Sequence, residues 1–397
     1  MRHITDDERR ARLARRHAFA PGHRATDPVA AARAMTVLHA TESASVYLAL
    51  WARVEGLTVA DVDRVLYADR TLVRQLAMRR TIFVFPRDLL PAAWGSASAR
   101  VAAQLRPRLV KEIEKGGIAA DGEAWLEAAE AAVLARLADG SELPAQTLRE
   151  QVPELDGRIE ISAGKAYGGV FPIAPRVLTQ LSVERLLVRG RNATHWRVSR
   201  PLWTLMERWL GEPPVPVPAP EGWAELARRW LRTFGPGTAA DLQWWLGATV
   251  GIVKAALAEV HAVEVTLDGG ATGWVLPDDL DPVAPVEPWA ALLPVLDPTV
   301  MGWKARDFYL GPHSASVFDS NGNGGTTAWW DGRIVGCWLQ DDAGRVEVFP
   351  LEDLDRDARS ALDAEADRLT GWLDGEVVPT LYTAPAVRAA RRSSGES

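Results

Sequence analysis

Seven histidines and one cysteine, Cys337, are all that the chain offers for metal ligation and thiol chemistry. The histidines show neither HExxH nor HxH spacing, and a lone cysteine forms no internal disulfide or multi-cysteine zinc site, so no structural metal is expected. The loop DSNGNGG (319–325) has the glycine content of a phosphate cradle but lacks the lysine and the strand-to-helix setting, and it reads as a hairpin turn. Charge is the more informative feature. Between positions 70 and 116 ten bases, among them Arg74, Arg79 and Arg80, stand against three acids, whereas positions 341–376 carry twelve acids and four bases. A basic N-terminal part suits phosphate groups and an acidic end suits solvent, although such runs equally serve to solvate helix faces.

The elements that hold these residues belong to a chain of 397 residues, 47% hydrophobic and 24% charged, which is globular composition and too long for one ordinary domain. A net charge of −7 means that a polyanion-binding face must come from local asymmetry. No apolar stretch is long enough to span a bilayer, and the N-terminus is charged where a signal peptide turns apolar. A cytoplasmic protein without membrane contact is therefore expected.

Three segments share one grammar of helix, turn, helix and strands. The clearest is the last, where 221–234 places Trp223, Leu226, Trp230 and Phe234 at helical spacing and Gly235-Pro236-Gly237 stops the helix. Thr238 caps a helix that Gly247 ends, Thr249 caps the next, and 263–267 and 273–276 form a hairpin about Asp268-Gly269-Gly270. This is the order of a winged helix. In the first segment the helix 45–54 carries Tyr47, Leu50, Trp51 and Val54 on one face, Thr58 opens a helix, and Thr71 opens another over 72–78 that runs through Arg79 and Arg80 into a strand at 81–85. The middle segment has helices around 122–138 and 144–152 and a hairpin of 184–190 with 195–200, turned at Gly190-Arg191-Asn192. The proline-rich stretch 213–220 reads as a semi-rigid linker. After Pro282 the pattern turns to β: strands at 326–330, 333–340 and 345–350, an acidic helix over 352–373 with Leu362, Leu369 and Leu373 inward, and a returning strand at 377–382. The expected architecture is α+β, mainly α, with a first winged-helix unit and N-terminal extension in 1–120, a second in 121–212, a third in 221–283 and a small C-terminal β-barrel or curled sheet with the acidic helix in 284–397.

The stretches 226–257, 292–310 and 329–340, together with 37–53 and 72–85, resemble in order and spacing the bacterial winged-helix DNA glycosylases related to the azinomycin-resistance enzyme. The resemblance spans nearly the whole chain and is weakest over 100–170. It implies a C-shaped arrangement with double-stranded DNA in the concave channel, acting as a monomer. It also implies metal-free, cofactor-free hydrolysis of the N-glycosidic bond of N7-alkylated purines, including bulky adducts and interstrand crosslinks. The family's Gln-x-Gln or Gln-x-Asp motif falls on His39-Ala40-Thr41, so the resemblance assigns catalysis to His39 and Thr41, with Glu42 adding a carboxylate one residue on. His39 can orient or deprotonate water, and Thr41 can accept and donate a hydrogen bond. Equally, Thr41 or Glu42 can cap the following helix. Arg74, Arg79, Arg80 and Thr81 fall on the expected DNA face, where members of the family often have glycine and histidine at the positions of Arg80 and Phe83. Asp297 and Arg306 are expected to form an ion pair tying the C-terminal part to the third unit.

Two other functions remain open on the residues alone. One is a winged-helix DNA-binding protein, a regulator or damage sensor, in which the His-Ala-Thr replacement has ended catalysis. The other is a peptide-binding scaffold, which the overall negative charge favours. No heptad seam supports a dimerisation helix.

Overall fold

The computed structural model describes residues 1–161, 169–380 and 382–393. Helices alternate with five small sheets of two to four strands among those residues, and no helix there is long and apolar enough to cross a membrane.

The clearest segment forms as its caps dictate. Helix Ala219–Phe234 buries Trp223, Leu226, Trp230 and Phe234. Thr238 and Asp241 close a capping box at the start of Ala239–Leu246, Gly247 ends that helix in the left-handed region (φ 63°), and Thr249 accepts from the Ile252 N–H to cap Val250–Glu259. Each cap is worth about 1 kcal/mol. The strands Val263–Leu267 and Thr272–Val275 then pair antiparallel. A third strand reaches this hairpin from the other end of the chain: His3–Ile4 pairs parallel with Thr266 and Leu267. Helix Asp6–Arg16 follows it, and Arg12, 1% exposed, bonds Glu8 and Asp279. The N-terminal residues thus dock on the hairpin at 263–275 as well as preceding the first segment.

In the first segment a capping box of Thr58 and Asp61 starts helix Val59–Asp63, as the threonine predicts. The next element differs from expectation. Residues 72–78 are not a helix; Leu72–Leu76 is a strand, buried along its length and paired antiparallel with Ile82–Pro86, which in turn pairs with the two-residue strand Leu38–His39. Leu, Arg and Gln favour helix locally, but pairing on a sheet overrides that preference.

The middle segment keeps its predicted helices, Gly122–Arg136 and Ala145–Gln151, but not its hairpin. Gly190-Arg191-Asn192 continues strand Leu187–Asn192, which pairs with Pro201–Leu205, while 193–200 is the connecting loop. A further strand pair, Arg158–Ile161 with Gly169–Pro172, carries no sequence expectation.

The C-terminal part is an open antiparallel sheet in the order Ala290–Leu293, Thr327–Trp330, Arg333–Gln340, Val346–Pro350, so the expected barrel does not close. Its two outer strands remain edges, because four short strands are too few to wrap around a packed interior. Helix Arg356–Leu373, capped by Asp355, lays Leu362, Leu369 and Leu373 on the sheet. Val377–Thr380 forms no strand, and Leu381 lies outside the described residues.

One apolar core runs from Leu13 to Leu373 and gathers the first and third segments with the C-terminal sheet, whereas the middle segment packs around Leu126, Val133, Leu148 and Leu178. The expected pair of Asp297 with Arg306 is absent. Asp297 instead takes a bidentate bond from Arg53 at 2.7 and 2.9 Å, with both side chains fully buried. Arg53 also donates to Ala49 O and Thr299 Oγ1, so the end of helix Ser43–Trp51 is fastened to the loop after Ala290–Leu293. Among the described residues Arg306 forms no ion pair; its Nε donates to Trp303 O at 2.8 Å and its guanidinium lies against aromatic rings, 5.0 Å from the Trp244 centroid and 4.1 Å from that of Phe318.

Candidate nucleic-acid interface and catalytic strand

His39 sits in the short strand Leu38–His39, opposite Phe83, and the following residue continues the ladder by donating from Ala40 N to Ile82 O. Its imidazole is 6% exposed, and its centroid lies 4.6 Å from that of Phe83. Nε2 lies 3.4 Å from Arg79 Nη2, while Nδ1 is buried without a partner among the described residues. A guanidinium only donates, so this contact assigns the lone pair to Nε2 and the proton to Nδ1. Burial, and then the charge of Arg79, hold the His39 pKa well below 6.5, so the ring is neutral near pH 7.

Thr41 and Glu42 face other neighbours. The carbonyl of Thr41 accepts from Ser199 Oγ at 3.3 Å, and Ser199 also takes the Ser43 N–H at 2.9 Å, supplying the cap of helix Ser43–Trp51 from the loop 193–200. Glu42 occupies the N-cap position without a side-chain cap bond; its buried carboxylate accepts from Thr380 Oγ1 at 3.1 Å. The motif therefore anchors two later stretches of chain as well as presenting His39.

The turn between strands Leu72–Leu76 and Ile82–Pro86 carries the next candidates. Arg79 and Arg80 both have positive φ, 54° and 58°, a conformation that tight hairpins ordinarily fill with Asn-Gly. Arg80 is exposed, and its positive φ is one that glycine adopts without strain. Gly247 packs on the same turn; a Cβ there would lie 2.9 Å from Arg79 N. Thr81 is half-buried, with Oγ1 3.5 Å from Arg79 O. Arg74 does not belong to this exposed group. It is buried, donating to Gly190 O (3.0 Å), Tyr67 Oη (2.8 Å) and Ser43 Oγ (3.3 Å), because a strand residue points across the sheet where the expected helix would have pointed outward. Arg74 is a strut between segments and is not free for phosphate.

Two side chains complete the surroundings of Arg79: Trp244, for which the sequence carries no expectation, and Arg306, expected only as an ion-pair partner of Asp297. The Arg79 guanidinium lies 4.1 Å from the centroid of Trp244, the ring that Arg306 also contacts. Trp245 is buried, and its neighbour Trp244, about 100° further round the helix, is half-buried at the margin of the core. Burial, and then the charge of Arg306, lower the Arg79 pKa to about 10. On the far side of Ser43 a cleft of about 360 Å³ is lined by Tyr47, Asp63, Tyr67, Arg191, Asn192 and His195, with Tyr47 Oη donating to Asp63 at 2.5 Å. Among the described residues no three His, Cys, Asp or Glu side chains are grouped to hold a metal ion, and burial pushes the Cys337 thiol up to about 12. The arrangement offers a neutral imidazole and a cationic rim, which suits proton acceptance beside a polyanion.

No curated protein matches the chain. Among solved structures, the DNA glycosylase AlkZ of Streptomyces sahachiroi is similar in fold, with a TM-score of 0.69 over 94% of this chain and 98% of that one at 19% sequence identity. The family profile described as DNA glycosylase AlkZ-like matches residues 32–372, taking in the His39 strand, the Arg79 turn and Trp244. On that match the chain belongs to the AlkZ-like DNA glycosylase family.

Proposed function

We propose that this protein is a monofunctional DNA glycosylase that hydrolyses the N-glycosidic bond of N7-alkylated purines in duplex DNA, as a monomer and without a cofactor, in repair or self-resistance, with bulky adducts and crosslinks within its range. The observation that carries the reading is a buried, neutral histidine, at the position to which the resemblance assigns catalysis, contacted by an arginine of the adjoining turn. A purine alkylated at N7 is cationic, so C1′–N9 cleavage sends the bonding pair into the base and discharges it. Water then bonds to C1′ of the oxocarbenium sugar and gives up a proton. Water bound to such a cation is strongly acidic, so His39 accepts that proton at Nε2, its unprotonated nitrogen, giving up the 3.4 Å contact with Arg79. Thr41 orients the water or contacts the sugar-phosphate, Glu42 adds negative charge nearby, and Arg79, Arg80 and Thr81 meet the backbone.

A second reading, DNA binding without catalysis, is favoured by one observation: the Glu42 carboxylate is already engaged by Thr380 Oγ1. Incubation with a duplex carrying one N7-methylguanine, then hot alkali and strand sizing, decides between them. Cleavage at the modified position supports the glycosylase. Intact strands across N7-alkylguanines, with retained duplex binding, support the second reading.

A further inference from the structure

Arg79 and Arg306 come from the turn after Leu72–Leu76 and from the segment before helix Asp307–Leu310, and they meet at Trp244 of a third element. Among the described residues neither guanidinium takes part in an ion pair, and Nε of Arg79 is buried without a partner. Asp241, which also faces Arg306, is fully buried, and its oxygens are occupied by Thr238 and by the backbone N–H groups of Lys304 and Ala305. Two partly desolvated cations against one indole repel each other, and the carboxylate that faces Arg306, Asp241, forms an ion pair with neither, an arrangement that a further anion stabilises. The turn that carries Arg79 holds two arginines at positive φ, at a cost of about 1–3 kcal/mol each, and such local strain persists where the surroundings fix a working geometry.

Resting on the glycosylase reading, we infer that Arg79 and Arg306, spread on Trp244, form a single shared site for one backbone phosphate of the DNA. The flat guanidinium edges suit two oxygens of one phosphodiester: Arg306 Nε donates to Trp303 O at 2.8 Å and Arg79 Nη2 faces His39, which leaves, among the described residues, both Nη groups of Arg306 and Nη1 of Arg79 to donate. Because Arg79 also contacts His39, the phosphate that it holds ties the register of the strand to the catalytic ring. Arg306 is then a positioning residue.

The test is the salt dependence of binding of the full-length protein to an undamaged, fluorescein-labelled duplex, by anisotropy between about 50 and 200 mM KCl, for wild type, Arg79→Gln, Arg306→Gln, the double variant and Arg306→Lys. Each phosphate neutralised contributes about −0.9 to the slope of log K against log[salt]. A shared site predicts that the double variant loses about one phosphate's worth of slope, that each single variant loses less, and that Arg306→Lys, which keeps the charge, stays near wild type. The wild-type advantage over the double variant then shrinks roughly 3.5-fold across that range. A double variant losing about two phosphates' worth means separate contacts and overturns the shared site. A folded double variant, by circular dichroism, with unchanged slope overturns the site while leaving the glycosylase reading intact, and wild-type protein that binds no duplex overturns both.

Discussion

Replacing Asp297 by asparagine removes one charge from a pair that is fully buried on both sides and leaves the Arg53 guanidinium without a counter-ion. Breaking a buried pair from one side costs about 3–5 kcal/mol. Asparagine keeps one acceptor oxygen, and Arg53 retains its bonds to Ala49 O and Thr299 Oγ1, so the expected loss is about 3 kcal/mol, near the lower bound. Asp297→Ala also orphans the Thr299 N–H, which now donates to Asp297 at 2.9 Å, adding about 1 kcal/mol. An Arg53→Met/Asp297→Leu double variant removes both charges and should cost less than the sum of its single variants by about 2 kcal/mol or more. Urea unfolding followed by tryptophan fluorescence and far-UV circular dichroism measures each value. The core that this pair serves and the middle-segment core contain different residues, so the fluorescence transition should move while part of the dichroism change stays in place. A loss below about 1 kcal/mol for Asp297→Asn, or strict additivity in the double variant, would refute the assignment of this pair as the fastener of the motif helix.

His39→Ala should slow excision of N7-methylguanine about 10²–10³-fold while duplex affinity stays within about twofold; full excision by the variant removes His39 from the chemistry. With the His39 pKa held low by burial and by Arg79, single-turnover excision should be level from about pH 8 down through 6.5 and decline only in more acidic buffer, and a decline centred at or above 6.5 contradicts the environment described. His17 is held low as well, by burial and by Arg53. For both groups the unfolded chain binds the proton first, so stability is complete above about pH 6.5 and falls with acidification by about 1.4 kcal/mol per unit for each ring; urea midpoints equal at about pH 6.5 and 5.5 would contradict this. Gly247→Ala places a Cβ against the Arg79 backbone at positive φ and should cost more than 1 kcal/mol, weakening duplex binding with it, whereas Arg80→Gly, which relaxes the same turn, should be neutral or slightly stabilising in thermal unfolding.

Local chemistry was legible in the sequence wherever one residue type determines the backbone nearby. Thr58, Thr238 and Thr249 start helices, Gly247 stops one, and Asp331-Gly332, both at positive φ, turns the strands on either side of it. Contacts across the chain were less legible. Leu72–Leu76 carries helix-forming residues and becomes a strand only because Ile82–Pro86 supplies a ladder, and this one change of element turns Arg74 from a surface cation into a buried strut. Asp297 was recognised as half of an ion pair, but an arginine 244 positions earlier competes for it on equal chemical terms with one 9 positions later, and packing makes the choice. At the candidate site, His39 was singled out by resemblance, whereas its contact with an arginine 40 positions on follows from the pairing of two strands and has no signature in spacing.

The pairing of His3–Ile4 with Thr266 and Leu267 has a consequence for synthesis. About 260 residues separate the two strands, so at roughly 5–20 residues per second the first strand leaves the ribosome some 13–50 s before its partner exists. During that interval its backbone and the charged helix behind it, whose Arg12 waits for Asp279, have only water or chaperones for company. This sheet closes only after residues 263–275 have been made, so its first strand waits through the synthesis of both earlier segments. A bulky group placed before His3 would burden that docking step while leaving the middle segment, which pairs within itself, free to fold on time.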